Sequence, residues 1–197
     1  DDSQRSSSLF YSLMLVVGIV AAAISGILFV LVNPLVQLLA PAFSDETHQM
    51  AVSMLRITLP AVFLFGVSAI VSGRLYGAQR FEFPSFSVAA LNGSMIVGAL
   101  ALTPLVGPPG VALGYLIGAA AHLAIQVPGL LYIQMSRATP RIFVNTDLWK
   151  VITLYMPVLV GLIFTQFVVA VDTRLATGSG EGSLAMMRFA TRLQQFP

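Results

Sequence analysis

Residues 9–32 read LFYSLMLVVGIVAAAISGILFVLV, a run of 24 residues without a formal charge. As an α-helix rising about 1.5 Å per residue, this run is long enough to cross the hydrocarbon core of a bilayer, which is about 30 Å thick. We therefore predict that this stretch forms a membrane-spanning helix.

The composition of the whole chain leaves too little charge for a water-soluble surface. Of its 197 residues, 57% are hydrophobic and 9% are charged, whereas a soluble domain carries roughly 25% charged residues. The formal net charge of +2 rests on 10 basic and 8 acidic residues, too few to indicate a nucleic-acid partner. The absence of cysteine excludes disulfides and thiolate metal sites within this sequence. The composition predicts an all-α polytopic membrane protein.

Gaps between charged residues locate the other spans. The 54 residues between Glu82 and Arg137 would measure about 80 Å as one helix, which fits two crossings better than one. The sequence GPPG at 107–110 is typical of the turn between them. Pro34 need not end the first helix in lipid, whereas Pro60 is expected to kink the second. The predicted spans are residues 9–32, 50–72, 85–106, 110–135 and 151–171, with a sixth that starts at 183.

Both ends of the sequence indicate an internal fragment. The chain begins Asp1-Asp2-Ser3 without a methionine. Pro197 lies about 15 residues into the sixth span, short of the roughly 20 residues that a crossing helix needs. We therefore expect five full spans plus the start of a sixth.

The basic residues predict the orientation, because cytoplasmic loops are enriched in Lys and Arg. Six of them fall on the side of the N-terminus and the even-numbered turns, and Arg174 falls on the opposite side. The six are Arg5, Arg74, Arg80, Arg137, Arg141 and Lys150. We predict that the first residue lies on the cytoplasmic side of the plasma membrane and that the turns near 41–48, 107–110 and 173–182 face outward.

Two arginines of the sixth span share one helix face, because Arg188 and Arg192 are four residues apart. Arg192 lies roughly 14 Å from the outer turn, near the bilayer centre, where a charged side chain costs at least about 2.5 kcal/mol. One interpretation is an ion pair with an acidic residue from a segment outside this sequence. The other is a cationic cavity that binds an anionic headgroup.

Three further ionisable residues lie in or near the predicted spans. Asp172 ends the fifth span, where it is hydrated, paired with Arg174, or a ligand of a coupling ion. Arg56 is expected to have a structural role, because its long side chain reaches the interface by snorkelling. His122 is interpreted as a hydrogen-bonding group between helices, with a proton relay as the alternative.

Small residues predict close packing of the third and fourth spans. Gly114 and Gly118 form a GxxxG pair, and Ser87, Ala90 and Ser94 lie near one face of the third span. Side chains of this size let helix backbones approach each other closely.

Motifs of known catalytic sites are absent from the sequence. It contains no HExxH, no phosphate-binding glycine loop, no serine nucleophile elbow and no paired carboxylates inside a span. Short turns on both sides of the membrane leave no soluble domain for an active site. We therefore expect a transport function and no enzyme activity.

Several strings form an ordered set of landmarks. They are Leu38-Leu39-Ala40-Pro41-Ala42-Phe43, Leu55-Arg56-Ile57 with Pro60, Tyr76-Gly77-Ala78-Gln79, Asn92 with Ile96, Val171-Asp172, Gly182-Ser183, and FATRLQQFP at 189–197. Together they resemble the MurJ (MviN) lipid II flippases. The family signature G-S-(x)n-Y-A-x-R-L-x-Q-L-P is matched with Phe189 where Tyr is usual and Phe196 where Leu is usual.

This resemblance implies a two-lobed, fourteen-helix flippase, of which the chain would hold the third to eighth spans. Residues 1–135 would be the end of the N-terminal lobe, with four spans. Residues 136–150 would be a cytoplasmic linker between the lobes, and residues 151–197 would begin the C-terminal lobe.

The resemblance also implies a function, which is translocation of lipid-linked peptidoglycan precursor (lipid II) across the bacterial plasma membrane by alternating access. Arg192 matches the family's cavity arginine, which holds the lipid-linked diphosphate. Arg188 lies outside the family pattern and joins the predicted substrate site because it shares the face of Arg192.

Asp172 matches an acidic residue that helps bind sodium in some members, so it is the candidate ion-coupling residue and sodium ligand. No other cofactor is expected. The expected partners are the anionic lipid-linked substrate and the bilayer. The alternative function is that of an ion-coupled drug or polysaccharide-lipid exporter of the same superfamily.

Overall fold

The structure is a computed structural model that describes residues 2–133, 146–179 and 182–194. All regular elements in these residues are helical. They are α1 (Asp2–Leu39), α2 (Asp45–Thr58), α3 (Pro60–Gly77), α4 (Glu82–Val97), a π-helical turn (Gly98–Leu102), α5 (Thr103–Val106), α6 (Pro109–Leu131), α7 (Thr146–Gly178) and α8 (Ser183–Gln194). The predicted all-α class is confirmed. Arg137, Arg141, residues 195–197 and most of the predicted linker at 136–150 lie outside the described residues.

Five helical stretches are long and apolar enough to cross a membrane. They are Ser6–Leu39, Asp45–Gly77, Glu82–Val106, Pro109–Leu131 and Trp149–Gly178. Each of these stretches overlaps one of the five full spans predicted from the charge gaps. The sixth predicted span begins at Ser183, where α8 starts.

Contacts group the chain into two compact units. Unit 1 consists of Asp1–Val30 and Ser53–Val151, and unit 2 consists of Leu31–Val52 and Ile152–Pro197. Unit 1 contains α3, α4 and α6, which pack tightly against one another. Unit 2 contains α8 and most of α7, which carry the predicted site residues.

The two prolines within the first two spans have different effects. α1 continues through Pro34 to Leu39, as predicted. At Pro60 the helix is interrupted, because proline has no N–H to donate to the carbonyl four residues earlier. α3 restarts there with Pro60 in its first turn. The Ser25 hydroxyl donates to the Leu59 carbonyl at 2.8 Å, so α1 holds the interruption in place.

The predicted turn at 107–110 is confirmed and is short. Gly107 has a φ of +75°, a backbone conformation that glycine adopts without a Cβ clash. Its amide donates to the Thr103 carbonyl at 2.8 Å, and α6 begins two residues later at Pro109. Proline suits this first helical position because its missing N–H would have no partner there.

Glycines bring α4 and α6 into backbone contact. A Cβ added to Gly114 would lie 2.6 Å from the Cα of Gly98 and 2.8 Å from the carbonyl oxygen of Ser94. A Cβ on Gly118 would lie 3.0 Å from the carbonyl oxygen of Leu91. A side chain at Gly114 would force the backbones apart, and one at Gly118 would be unusually tight, so the predicted packing role of Gly114 and Gly118 is confirmed. Gly110 extends the contact by one turn, since its Cβ would lie 2.5 Å from the Thr103 nitrogen.

The buried side-chain amide of Gln126, which follows Gly118 along α6, joins α3, α4 and α6. Gln126 is fully buried. Its Nε2 donates to the hydroxyls of Ser68 at 2.7 Å and Ser87 at 3.1 Å, and its Oε1 accepts from Ser72 at 2.8 Å. Ser87 in turn donates to the Pro84 carbonyl at 2.7 Å. Since a carbonyl only accepts, the Ser87 oxygen must accept from the amide, which fixes the orientation of Gln126.

We predict that Gln126→Leu destabilises the protein by about 1 to 3 kcal/mol, because it removes the hydrogen bonds of the buried amide to Ser68, Ser72 and Ser87 while conserving most of the side-chain volume. Thermal unfolding in detergent measures the change. The matched control is Gln166→Leu, since Gln166 lies on an exposed stretch of α7 and its replacement should change stability by no more than about 0.5 kcal/mol. Equal destabilisation by both substitutions would contradict a structural role for the buried amide.

Candidate functional site

α7 carries Asp172 and is exposed along most of its length. All positions from 153 to 169 are exposed, although the sequence there is strongly apolar. Thr177, near the end of the helix, is buried. A helix that is apolar all round is covered by lipid or by other helices in a membrane protein.

The helix is longer than the predicted fifth span, 151–171, and continues to Gly178. Asp172 therefore lies about 9 Å before the end of α7. The charge of Asp172 ends the apolar run of the sequence. It does not end the helix, because an acidic residue in a helix interior costs only a fraction of a kcal/mol. The helix ends where glycines follow, and Gly182 in the next turn has a φ of +83°.

α8 presents both predicted arginines on one exposed face. Arg188 and Arg192 are exposed and lie about 8 and 14 Å along the helix from its first residue, Ser183. Asp172 and Arg188 are thus at similar distances, along their own helices, from the turn that joins α7 to α8. The four-residue spacing brings the two arginine side chains to within about one helical turn of each other.

These charged groups have no ionic partner in the described part of the chain. An ion pair in that part joins Arg80 to Glu82, with 3.3 Å between the nitrogen and the oxygen. No ion pair in those residues involves Asp172, Arg188 or Arg192. Of the three alternatives for Asp172, pairing with Arg174 is therefore not observed among these residues. Two neighbouring guanidinium groups without a carboxylate partner can direct several N–H donors at a phosphate or diphosphate group.

Asp172 alone does not form a sodium site. A hard cation takes about six oxygen ligands, and Asp172 supplies one exposed carboxylate. Among the described residues, no group of three or more His, Cys, Asp or Glu side chains could hold a metal ion. A sodium site at Asp172 would thus need oxygen ligands from elsewhere in the protein.

Unit 2 contains a cavity of about 500 Å³ that sequence reasoning missed. Its walls come from the turn between α1 and α2 with the start of α2, and from the end of α7 with the turn that follows it. The lining residues are Ala42, Phe43, Ser44, Thr47, Thr177, Gly178 and Gly182. The Thr177 hydroxyl lies 3.4 Å from the Leu39 carbonyl oxygen, although 138 positions separate the two residues. The local periodicity of the sequence cannot indicate a contact between residues that are so far apart along the chain.

Two other ionisable residues in the spans have identifiable surroundings. The guanidinium carbon of Arg56 lies 5.6 Å from the centre of the Phe29 ring, a cation–π contact in keeping with the expected structural role. The His122 ring packs edge-on against Phe65, with ring centres 5.5 Å apart. Its buried Nδ1 has no hydrogen-bond partner, so this atom does not form the expected hydrogen bond between helices.

Comparison with known proteins identifies the relatives of this chain. The family described as "Lipid II flippase MurJ" matches residues 1–197. The chain is 26% identical over 161 residues to the lipid II flippase MurJ of Burkholderia cenocepacia. The aligned region covers 77% of this chain and 31% of that protein.

Two further relatives are named as probable lipid II flippases MurJ. The protein of Buchnera aphidicola subsp. Schizaphis graminum is 30% identical over 163 residues, covering 80% of this chain and 32% of the relative. The protein of Bdellovibrio bacteriovorus is 28% identical over 209 residues, covering 100% of this chain and 38% of the relative. The chain thus spans about a third of the length of these curated relatives.

The family match covers the whole sequence, and the five apolar helices agree with a multi-pass membrane protein of bacteria. The resemblance inferred from the sequence landmarks is confirmed. The chain belongs to the MurJ family of lipid II flippases.

Proposed function

We propose that this chain is part of a flippase that moves lipid-linked peptidoglycan precursor, lipid II, across the bacterial plasma membrane by alternating access. The observation that carries the proposal is the pair of exposed arginines on α8, Arg188 and Arg192, which lack an ionic partner among the described residues. The family match supports lipid II as the substrate.

In the proposed mechanism, Arg192 and Arg188 bind the diphosphate of the headgroup while the lipid tail stays in the bilayer. Each guanidinium offers a planar fork of donors that matches phosphate oxygens. The site exposes the headgroup to one side of the membrane and then to the other as the lobes move around it. No covalent bond is made or broken, so the proposed activity is transport without catalysis.

The alternative of a drug or polysaccharide-lipid exporter is not favoured. The family description and the names of the relatives all specify lipid II flippases. Two adjacent cations also suit an anionic substrate better than the cationic or neutral compounds that an apolar cavity with one acidic group would bind.

We predict that Arg192→Ala in the full-length protein lowers transport by about tenfold or more, because a hydrogen bond to a charged group contributes about 1.5 to 3 kcal/mol. Complementation of a flippase-depleted cell, with membrane expression checked, measures the loss. The matched control is Arg174→Ala, an exposed arginine on α7 outside the proposed site, which should complement normally. Normal growth supported by Arg192→Ala at equal expression would rule out the cavity-arginine role.

The proposed orientation puts the first residue on the cytoplasmic side, and it can be tested because the sequence contains no cysteine. We predict that Ser44→Cys, in the turn between α1 and α2, reacts with a membrane-impermeant maleimide added outside intact cells. Gln79→Cys, in the exposed turn between α3 and α4, should react only after permeabilisation. The reverse pattern in a cysteine-free full-length background would invert the topology.

Asp172 is the proposed ion-coupling residue, with sodium as the proposed ion. We predict that sodium raises the thermal midpoint of the purified full-length protein relative to potassium at equal ionic strength, and that Asp172→Asn abolishes most of that rise. The substitution keeps the side-chain shape and removes the charge that a cation would need. An unchanged sodium response in Asp172→Asn would exclude this carboxylate as a ligand, without bearing on the arginine site.

A further inference from the structure

One face of α7 is covered near the end of the helix, although most of the helix is exposed. Ala170, Thr173 and Ala176 are partly covered, and Thr177 is buried. These positions recur every three to four residues, so they lie on one face. The preceding residues, 153–169, are all exposed. Within the described part of the chain, α7 is thus packed at the end that leads into α8 and is exposed along the stretch before it.

The buried Thr177 contacts the end of α1. Its hydroxyl oxygen lies 3.4 Å from the Leu39 carbonyl oxygen and 2.9 Å from the Arg174 carbonyl oxygen of its own helix. A hydroxyl has one proton to donate, so the shorter bond within α7 is the stronger one and the bond to α1 is weak. The cavity of about 500 Å³ in unit 2 lies beside this contact, because Thr177 lines it. The contact between α7 and α1 thus combines a weak hydrogen bond with incomplete packing.

The two sides of this contact belong to different predicted lobes. Leu39 lies in the predicted N-terminal lobe, and Thr177 lies in the predicted C-terminal lobe. Contacts nevertheless group Leu31–Val52 with Ile152–Pro197 in unit 2. In the proposed orientation, the turn that follows α1 and the turn that follows α7 both face outward. On this assignment, the contact joins the two lobes at their outward ends.

Alternating access requires a contact in this position to break. A transporter of this kind exposes a central site first to one side and then to the other, as two groups of helices rock about it. Lobes that touch at their outward ends close the outward path, so the site faces outward only after they separate there. The minor state of such an equilibrium holds about 0.1 to 10% of the molecules. A weak and loosely packed contact allows this, whereas a tight one would trap the protein in one state.

We propose that the contact between Thr177 and the Leu39 carbonyl is an outer gate of the transport cycle. The outer gate is closed in this structure and opens when the substrate site faces outward. Thr177 is a positioning residue, because it sets the balance between the two states without binding the substrate. The inference rests on the proposed flippase function, but it concerns residues outside the arginine site.

A second contact of the same chemical kind provides the matched control. The Ser25 hydroxyl donates to the Leu59 carbonyl at 2.8 Å, across 34 positions of the sequence. Both residues lie in unit 1 and in the predicted N-terminal lobe. Because this contact joins helices of one lobe, it should stay closed throughout the cycle.

The first experiment fixes each contact covalently in a cysteine-free full-length protein. The gate pair is Leu39→Cys with Thr177→Cys, and the control pair is Ser25→Cys with Leu59→Cys. A short bifunctional thiol reagent that reduction cleaves joins each pair, and mass spectrometry measures the crosslinked fraction. Translocation of lipid II is then measured in vesicles. We expect the crosslinked gate pair to lose transport about tenfold or more, because the gating step is blocked, and to regain it on reduction.

The crosslinked control pair should translocate lipid II at the rate that it has before crosslinking. An unchanged rate in the crosslinked gate pair would overturn the outer gate, and so would an equal loss in both pairs. If the gate pair is inactive before crosslinking, Ala42→Cys with Gly178→Cys replaces it, since these residues line the cavity from its two walls. The same outcomes then decide.

The second experiment detects opening without a transport assay. Thr177→Cys is buried while the outer gate is closed, whereas Gly178→Cys is exposed and its Cβ has open space. A membrane-impermeant maleimide is added outside intact cells. We expect Thr177→Cys to react fully but about 10- to 1,000-fold more slowly than Gly178→Cys, as an open state populated at about 0.1 to 10% requires. No reaction of Thr177→Cys would mean a permanent contact, and equal rates would mean no contact; either result would overturn the outer gate.

The two experiments separate the outer gate from the proposed function. If the wild-type protein does not translocate lipid II, the flippase proposal fails, and the labelling of Thr177→Cys still decides whether the contact opens. If the wild-type protein and the crosslinked gate pair translocate lipid II equally well, the flippase stands and the outer gate is wrong.

Discussion

A backbone N–H or C=O group without a hydrogen-bond partner costs several kcal/mol in the hydrocarbon of a bilayer. This constraint selects helices for the chain, and it requires that backbone groups at an irregular turn also have partners. Before Pro60, the Leu59 carbonyl accepts from the Val62 amide at 3.0 Å and also from the Ser25 hydroxyl at 2.8 Å. In the π-helical turn Gly98–Leu102, the Gly98 carbonyl accepts from the Thr103 amide, and the Thr103 hydroxyl donates to the same oxygen at 3.3 Å. Gln126 follows the same rule with its side-chain amide, whose nitrogen and oxygen both have partners.

The number and order of the spans could be predicted because charged residues are costly inside lipid, so long gaps between them mark the crossings. The helix ends were less predictable. α7 continues past Asp172 to Gly178, since leaving the hydrocarbon does not by itself end a helix. The different effects of Pro34 and Pro60 agree with the expectations from the sequence, but the contact at Pro60 could not be predicted. The Ser25 hydroxyl that holds that interruption is 34 positions away from Leu59, beyond the reach of a local pattern.

The shared face of Arg188 and Arg192 follows from their spacing alone, but their lack of ionic partners among the described residues required the structure. Gln126 was overlooked although a signal for it exists. Gln126 follows Gly114, Gly118 and His122 at four-residue intervals along one ridge of α6. Because glycines on such a ridge indicate a close neighbouring helix, a polar residue on the same ridge is expected to face that helix. The cavity in unit 2 had no such signal, because its walls come from turns that are far apart in the sequence.

The glycine contact between α4 and α6 has a mechanical consequence. Cβ atoms at Gly98, Gly110 and Gly114 would each meet backbone atoms at 2.5 to 2.6 Å. Sliding α6 along α4 by one residue would place a side chain where only a hydrogen atom fits, so shear between these helices is blocked. The two helices can tilt or rotate together as a single lever. Any rearrangement of this region must then be absorbed at the turns that flank the pair, such as the turn between α3 and α4, where Gln79 has a φ of +58°.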